Sequence, residues 1–278
     1  MSFQLPPGAR PVRFGDLAAV EALPVQQTRS MVVLVPGYTG SKEDFLAILE
    51  AITDAGHRVI AYDQRGQYES TGGDDPAAYE IAALARDLLG LIGDQPAHVV
   101  GHSFGGLVAR AAAIQDPGRF RSLTLLDSGP SAIPGLRALT LEVMRPVLVE
   151  GGHPAVWEYM VNPELPADVA EFTHRRFHAT SEAGLLVMGD ALLAEPDRTD
   201  DLRGTGLPML VAHGDSDDAW PPEVQSAMAH RLGAAYEVIA GAAHSPAVEQ
   251  PEATAGALVA FWSSVEDGSA PEAAAPAP

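Results

Sequence analysis

The chain has 278 residues, 46% of them hydrophobic and none of them cysteine; it can build a full core but has no disulfides, thiolate metal sites or cysteine nucleophile. Seventeen basic residues stand against 37 acidic ones, a formal charge of −20, which speaks against nucleic acid and anionic membranes as partners because phosphate recognition needs clustered Lys and Arg. No apolar stretch approaches the ~18 residues of a membrane span, and the start, Met1 to Gly8, lacks the basic and apolar regions of a secretory signal, so a cytoplasmic location is expected.

In chain order, Met31 to Val35 is an apolar run closed by Pro36-Gly37 and reads as a buried strand. A helical pattern begins near Lys42 and stops at Gly56, a residue suited to the position just past a helix end. His57 to Tyr62 is the next strand, Pro76 to Leu91 a helix, and His98 to Val100 a further strand. That strand runs into Gly101-His102-Ser103-Phe104-Gly105, a G-x-S-x-G box followed by helical spacing as far as Gln115. A strand, a tight turn and a helix in succession make a nucleophile elbow: the turn is strained, its flanking glycines let strand and helix approach, and the serine hydroxyl stands clear at the helix N-terminus.

Ser122 to Leu126 follows as a strand, and then the alternation stops. From 131 to 203 the apolar residues, among them Leu136, Leu139, Val143, Val147 and Leu148, recur at helical spacing. A helical insertion above catalytic loops is expected to act as a lid. Strand–helix alternation resumes with Pro208 to Ala212, Pro222 to Leu232, Tyr236 to Ile239 and Pro251 to Trp262. Continuous apolar strands alternating with helices predict a three-layer α/β fold around a mostly parallel sheet. The expected division is a core of residues 1–130 and 204–265, a helical lid at 131–203, and a disordered tail at 266–278.

A nucleophilic serine needs a base, and the base needs an orienting carboxylate. Among nine histidines, His57 and His98 begin strands, His213 ends one, and His174 with His178 forms an i,i+4 pair without the third ligand of a metal site. His244 differs: it lies in a small-residue loop, Gly241 to Pro246, between the last strand and the last helix. For the carboxylate, Asp215, Asp217 and Asp218 crowd the loop after Ala212, and Asp127 stands at the end of an earlier strand.

Over residues 10–264 the chain resembles the α/β-hydrolase fold superfamily, in the order Ser, acid, His. The family's Gly-x-x-Asp followed four residues later by Pro matches Gly214, Asp217 and Pro221, and its Gly-x-x-His matches Gly241 and His244. Asp63-Gln64-Arg65-Gly66-Gln67-Tyr68-Glu69-Ser70 is similar to the family's Asp-x-Arg-Gly-x-Gly-x-Ser loop, with Tyr68 where a glycine is usual. The resemblance implies a triad of Ser103, His244 and Asp217, with Asp127 the rival acid. It also implies an oxyanion hole of two backbone N–H groups, from Phe104 and from Tyr38, although the usual His-Gly of the latter loop is Pro36-Gly37 here. The expected activity is hydrolysis of a carboxylic ester with neither metal nor cofactor; a thioesterase, lactonase, C–C hydrolase, amidase, perhydrolase or non-catalytic ligand receptor is the alternative. Met144 and Trp157 in the insertion and Trp220 beside the acid are the expected pocket residues for a small to medium, largely apolar acyl substrate.

Overall fold

A computed structural model describes residues 3–269 of the chain. Eight strands form one sheet in the order β1-β2-β4-β3-β5-β6-β7-β8: β1 (Ala9–Phe14), β2 (Leu17–Ala22), β3 (Val32–Val35), β4 (Val59–Tyr62), β5 (Ala97–His102), β6 (Phe120–Leu126), β7 (Met209–Gly214) and β8 (Ala235–Ile239). Strands β3 to β8 pair in parallel. The first two are an antiparallel hairpin joined to β4, and both escape the sequence reading for a physical reason. Strand β1 is an edge with a proline and exposed arginines, and β2 is built largely of alanines, so neither carries a β-branched run.

Helices α1 (Leu46–Asp54), α2 (Ile81–Ile92) and α3 (Phe104–Gln115) are followed by α4 (Gly135–Met160), α5 (Ala167–Ala179) and α6 (Glu182–Ala194), and then by α7 (Thr199–Arg203), whose Asp200 pairs with Arg231 before the start of β8. Then come α8 (Pro222–Leu232), the single turn α9 (Pro246–Glu249) and α10 (Pro251–Glu266). One face of the sheet packs on α2, α3 and α8 through Leu88, Ala109, Ala112 and Met228. The other packs on α1 and α10 through Leu49, Ile52, Leu258 and Trp262. Both faces are therefore covered, which is why β3, β4, β5 and β7 are buried at every residue. The chain leaves β3 toward β4 on one side and returns to β5 on the other. Such a reversal of winding opens a crevice at the strands' C-terminal ends, between the loops after β3 and β5.

Of the apolar residues at helical spacing in α4, Leu136, Leu139 and Val143 are exposed, whereas Leu148 is buried. One expectation for the helices needs correcting. The tail was expected to begin disordered at Glu266, but that residue closes α10 and is tied down. Its carboxylate accepts from the Ser30 N–H at 2.9 Å and pairs with Arg29 at 2.9 Å, because the helix end lies against the start of β3. Residues 270–278 of the expected tail lie outside the described residues. None of the described helices is long and apolar enough to cross a membrane.

Candidate active site

Ser103 sits between β5 and α3 with φ 53° and ψ −121°, a left-handed conformation that a non-glycine residue holds only when its surroundings impose it. The flanking glycines are what make so tight a turn possible. A Cβ on Gly101 would come within 2.5 Å of the Gly105 carbonyl oxygen, and one on Gly105 within 2.5 Å of the Val35 and Pro36 carbonyl oxygens. Only residues without a Cβ let β5, α3 and the loop after β3 meet so closely.

His244 Nε2 lies 3.0 Å from Ser103 Oγ, and His244 Nδ1 lies 2.8 Å from Asp217 Oδ1. The natural assignment is Nδ1–H donating to the carboxylate and Nε2 accepting from the serine hydroxyl. The Asp217 side chain is fully buried. It also accepts from the Ala219 N–H at 2.9 Å and from Gln225 Nε2 at 2.7 Å, so its charge is dispersed over three donors. The neighbouring acids are turned elsewhere. Asp215 accepts from the Gly241 N–H, and Asp218 pairs with Arg137 at the surface. Asp127, at the end of β6, accepts from the Gly214 N–H at 3.0 Å. Its carboxyl lies within 4.8 Å of Asp217 and His244.

Two residues of this assembly are singled out by no motif, although His102 occupies a variable position of the elbow box. Gln225 reaches Asp217 from α8, eight residues along the chain. His102 is buried, and its Nε2 lies 2.6 Å from the His244 carbonyl oxygen, fixing the backbone of the histidine loop. Burial, then the proximity of His244, lowers the His102 pKa to about 4, so this ring stays neutral beside His244 at neutral pH.

The loop after β3 lies against the serine: a Cβ on Gly37 would stand 3.2 Å from Ser103 Cβ. Among the described residues, neither the Tyr38 N–H nor the Phe104 N–H donates a hydrogen bond within the protein. The Tyr38 side chain turns away, its hydroxyl donating to the Leu185 carbonyl of α6 at 2.8 Å. Ser103, His244, Gly37 and Tyr38 open onto a cavity of about 700 Å³ whose walls include Ile133, Leu141, Met144, Leu148, Phe177 and Leu185.

Met144 lines the cavity, whereas Trp220 and Trp157 do not. Trp220 is 1% exposed and packs under the site with Phe104, Leu107 and Ile133, its indole N–H donating to the Ser131 carbonyl. Trp157 is turned toward His174 and Phe177 of α5; its neighbours Val156 and Met160 reach the cavity instead. The His174 and His178 rings lie 4.2 Å apart between centres, tilted at 46° to one another, as part of that aromatic cluster. A separate group, His57, His98 and Glu266, gathers potential ligand atoms within 4.8 Å at the opposite edge of the sheet, where Arg29 already holds the carboxylate.

The profile of the alpha/beta hydrolase family matches residues 32–257. A non-heme chloroperoxidase of Streptomyces lividans is 31% identical over 262 residues, covering 83% of this chain and 90% of that protein. A protein of Variovorax paradoxus that bears the name of a carbamate hydrolase is 44% identical over 101 residues, 35% of this chain and 37% of its own length. Among solved structures, a thermophilic esterase from Thermogutta terrifontis is similar at 27% identity and TM-score 0.73, covering 89% of this chain and 94% of that one.

Proposed function

Since the chain belongs to the alpha/beta hydrolase family, we propose that it hydrolyses a carboxylic ester through an acyl-enzyme formed on Ser103. The observation that carries this reading is the relay of 3.0 Å from Ser103 to His244 and 2.8 Å from His244 to Asp217. His244 Nε2 takes the Ser103 proton as Oγ attacks the ester carbonyl carbon. The tetrahedral oxyanion is stabilised by the N–H groups of Phe104 and Tyr38. His244 then gives its proton to the departing alkoxide, the C–O bond breaks, and an acyl group remains on Ser103. Water repeats the sequence, losing a proton to His244 and releasing the acid and the free serine. Asp217 keeps Nδ1 protonated and balances the imidazolium in both halves.

The apolar walls of the cavity favour a medium-sized acyl group, and the likeness to an esterase points the same way. In this reading the helices of segment 131–203 are a lid over the bound acyl chain. The likeness to a chloroperoxidase favours a second reaction of the same acyl-enzyme, in which hydrogen peroxide replaces water and a peracid leaves. Turnover of p-nitrophenyl esters of increasing acyl length, with and without peroxide and acetate, tests both. Absence of turnover for every ester, together with no labelling of Ser103 by a fluorophosphonate, overturns the proposal.

A further inference from the structure

Asp127 is a buried carboxyl beside the relay to which the mechanism gives no task. It follows β6 directly, with φ 46°, a left-handed backbone that Asp and Asn tolerate better than other side chains. It is fully buried. Oδ1 accepts from the Gly214 N–H, while Oδ2 has no donor among the described residues. Asp217 and His244 both offer side-chain atoms within 4.8 Å of this carboxyl. His244 Nδ1–H is already committed to Asp217 Oδ1, and three donors already surround Asp217.

Two buried carboxylates at this separation cannot both carry charge cheaply, and one of them keeps a proton. The surroundings decide which. Asp217 holds three donors, one of them an imidazole, whereas Asp127 holds a single amide. A carboxylate offers about four acceptor sites, so Asp217 retains one for a further donor. An acid proton on Asp127 Oδ2 would satisfy both the orphaned oxygen and that remaining site.

We propose that Asp127 is a positioning residue: it keeps its proton in the working enzyme and donates it to Asp217, so that the charge facing His244 belongs to Asp217 alone. This rests on the Ser103–His244–Asp217 reading and excludes Asp127 as the relay's acid. Burial, then the charge of Asp217, pushes the Asp127 carboxyl well above the usual carboxylate range, and Glu249 of α9 acts in the same direction. The other titratable groups nearby are turned away. His102 at the end of β5 faces the His244 carbonyl, and His213 of β7 is held between the Gly214 carbonyl and Tyr236 Oη.

The test compares wild type with Asp127→Asn, an isostere of the protonated acid, and Asp127→Ala, which has no donor. In kcat/KM profiles, the acid limb of Asp127→Asn should coincide with that of wild type. Asp127→Ala should fall at least about tenfold below Asp127→Asn in kcat with little change in KM. An acid limb displaced downward by about one pH unit in Asp127→Asn would mean that a negative charge had been removed beside His244, and would overturn the proposal. Infrared difference spectra of wild type against Asp127→Asn at pH 8 should contain a protonated-carboxyl C=O band; its absence would overturn the proposal equally. The band is read without substrate, so it answers whether or not a fluorophosphonate labels Ser103, and the two readings fail separately. Should Asp127→Ala not fold, the Asp127→Asn profile and spectrum still decide.

Discussion

At Ser103 the strained backbone and the 3.0 Å contact to His244 make the effect of single atoms measurable. Ser103→Ala should leave the fold intact and lower p-nitrophenyl ester hydrolysis by several orders of magnitude, because only binding and oxyanion stabilisation remain. Circular dichroism and kcat check the two halves of that statement, and retention of more than a few per cent of kcat would sink it. Asp217→Asn should lower kcat by about 10⁴-fold, the scale for loss of an orienting aspartate. Asp215→Asn and Asp218→Asn, whose carboxylates point to Gly241 and Arg137, should stay within about tenfold of wild type. Gln225 makes a prediction that no motif would have offered. Gln225→Leu deletes a buried donor to Asp217, and leaving a buried charge short of a partner costs about 1–3 kcal/mol. Its kcat should drop by one to two orders of magnitude with the melting temperature lowered.

At the scale of elements, how each helix ends decides more than the pattern along its middle. Helix α4 spans 26 residues yet has φ 63° at Gly152; the bend is fixed by Glu182 of α6, which accepts from the His153 N–H at 3.1 Å and so caps the second half. Helix α10 ends on Glu266. Its carboxyl is desolvated, which alone would raise its pKa, but the Ser30 N–H, Arg29 and His98 outweigh this and lower it to about 2. A carboxylate with a depressed native pKa stabilises the fold at pH values above its unfolded value, and that contribution is lost as the pH falls through the folded value. Glu266→Gln should therefore reduce stability by about 1–2 kcal/mol at pH 7. The difference from wild type should shrink between pH 4.5 and 2, as read by urea unfolding at each pH. A difference independent of pH over that window would mean that the ion pair is not its source.

For the whole molecule, a net charge of −20 implies self-repulsion that salt screens over about 10 Å at 0.1 M. Raising sodium chloride from 10 to 150 mM should raise the melting temperature; a flat response in calorimetry would show that the surface acids are neutralised locally. The winding of the sheet decides where the site lies. Reversal between β3 and β5 brings Gly37 against Ser103, and parallel pairing of β7 with β6 and β8 brings the loops carrying Asp217 and His244 to the same edge. The elbow, the alternation of strand and helix, and the three loops that carry Ser103, Asp217 and His244 were legible in the sequence, because their signals are local: glycines where no Cβ fits, apolar runs where both faces are buried, loops where a strand ends. The N-terminal hairpin was not legible, since β2 is held as a strand by pairing with β4 rather than by its alanines. Nor was the pocket. Trp220 and Trp157 are apolar residues near the site in sequence, but which way a side chain faces depends on what packs behind it, here Phe104 and Leu107 for one and α5 for the other. Gln225, His102 and the orphaned oxygen of Asp127 likewise gain their meaning only from partners distant in the chain. Sequence by itself determined most of the elements and the residue types at the candidate site, because backbone propensity and burial act over a few neighbours. The tertiary structure alone decided which polar atoms meet, because hydrogen bonds between distant segments exist only once the sheet has brought those segments within 3 Å.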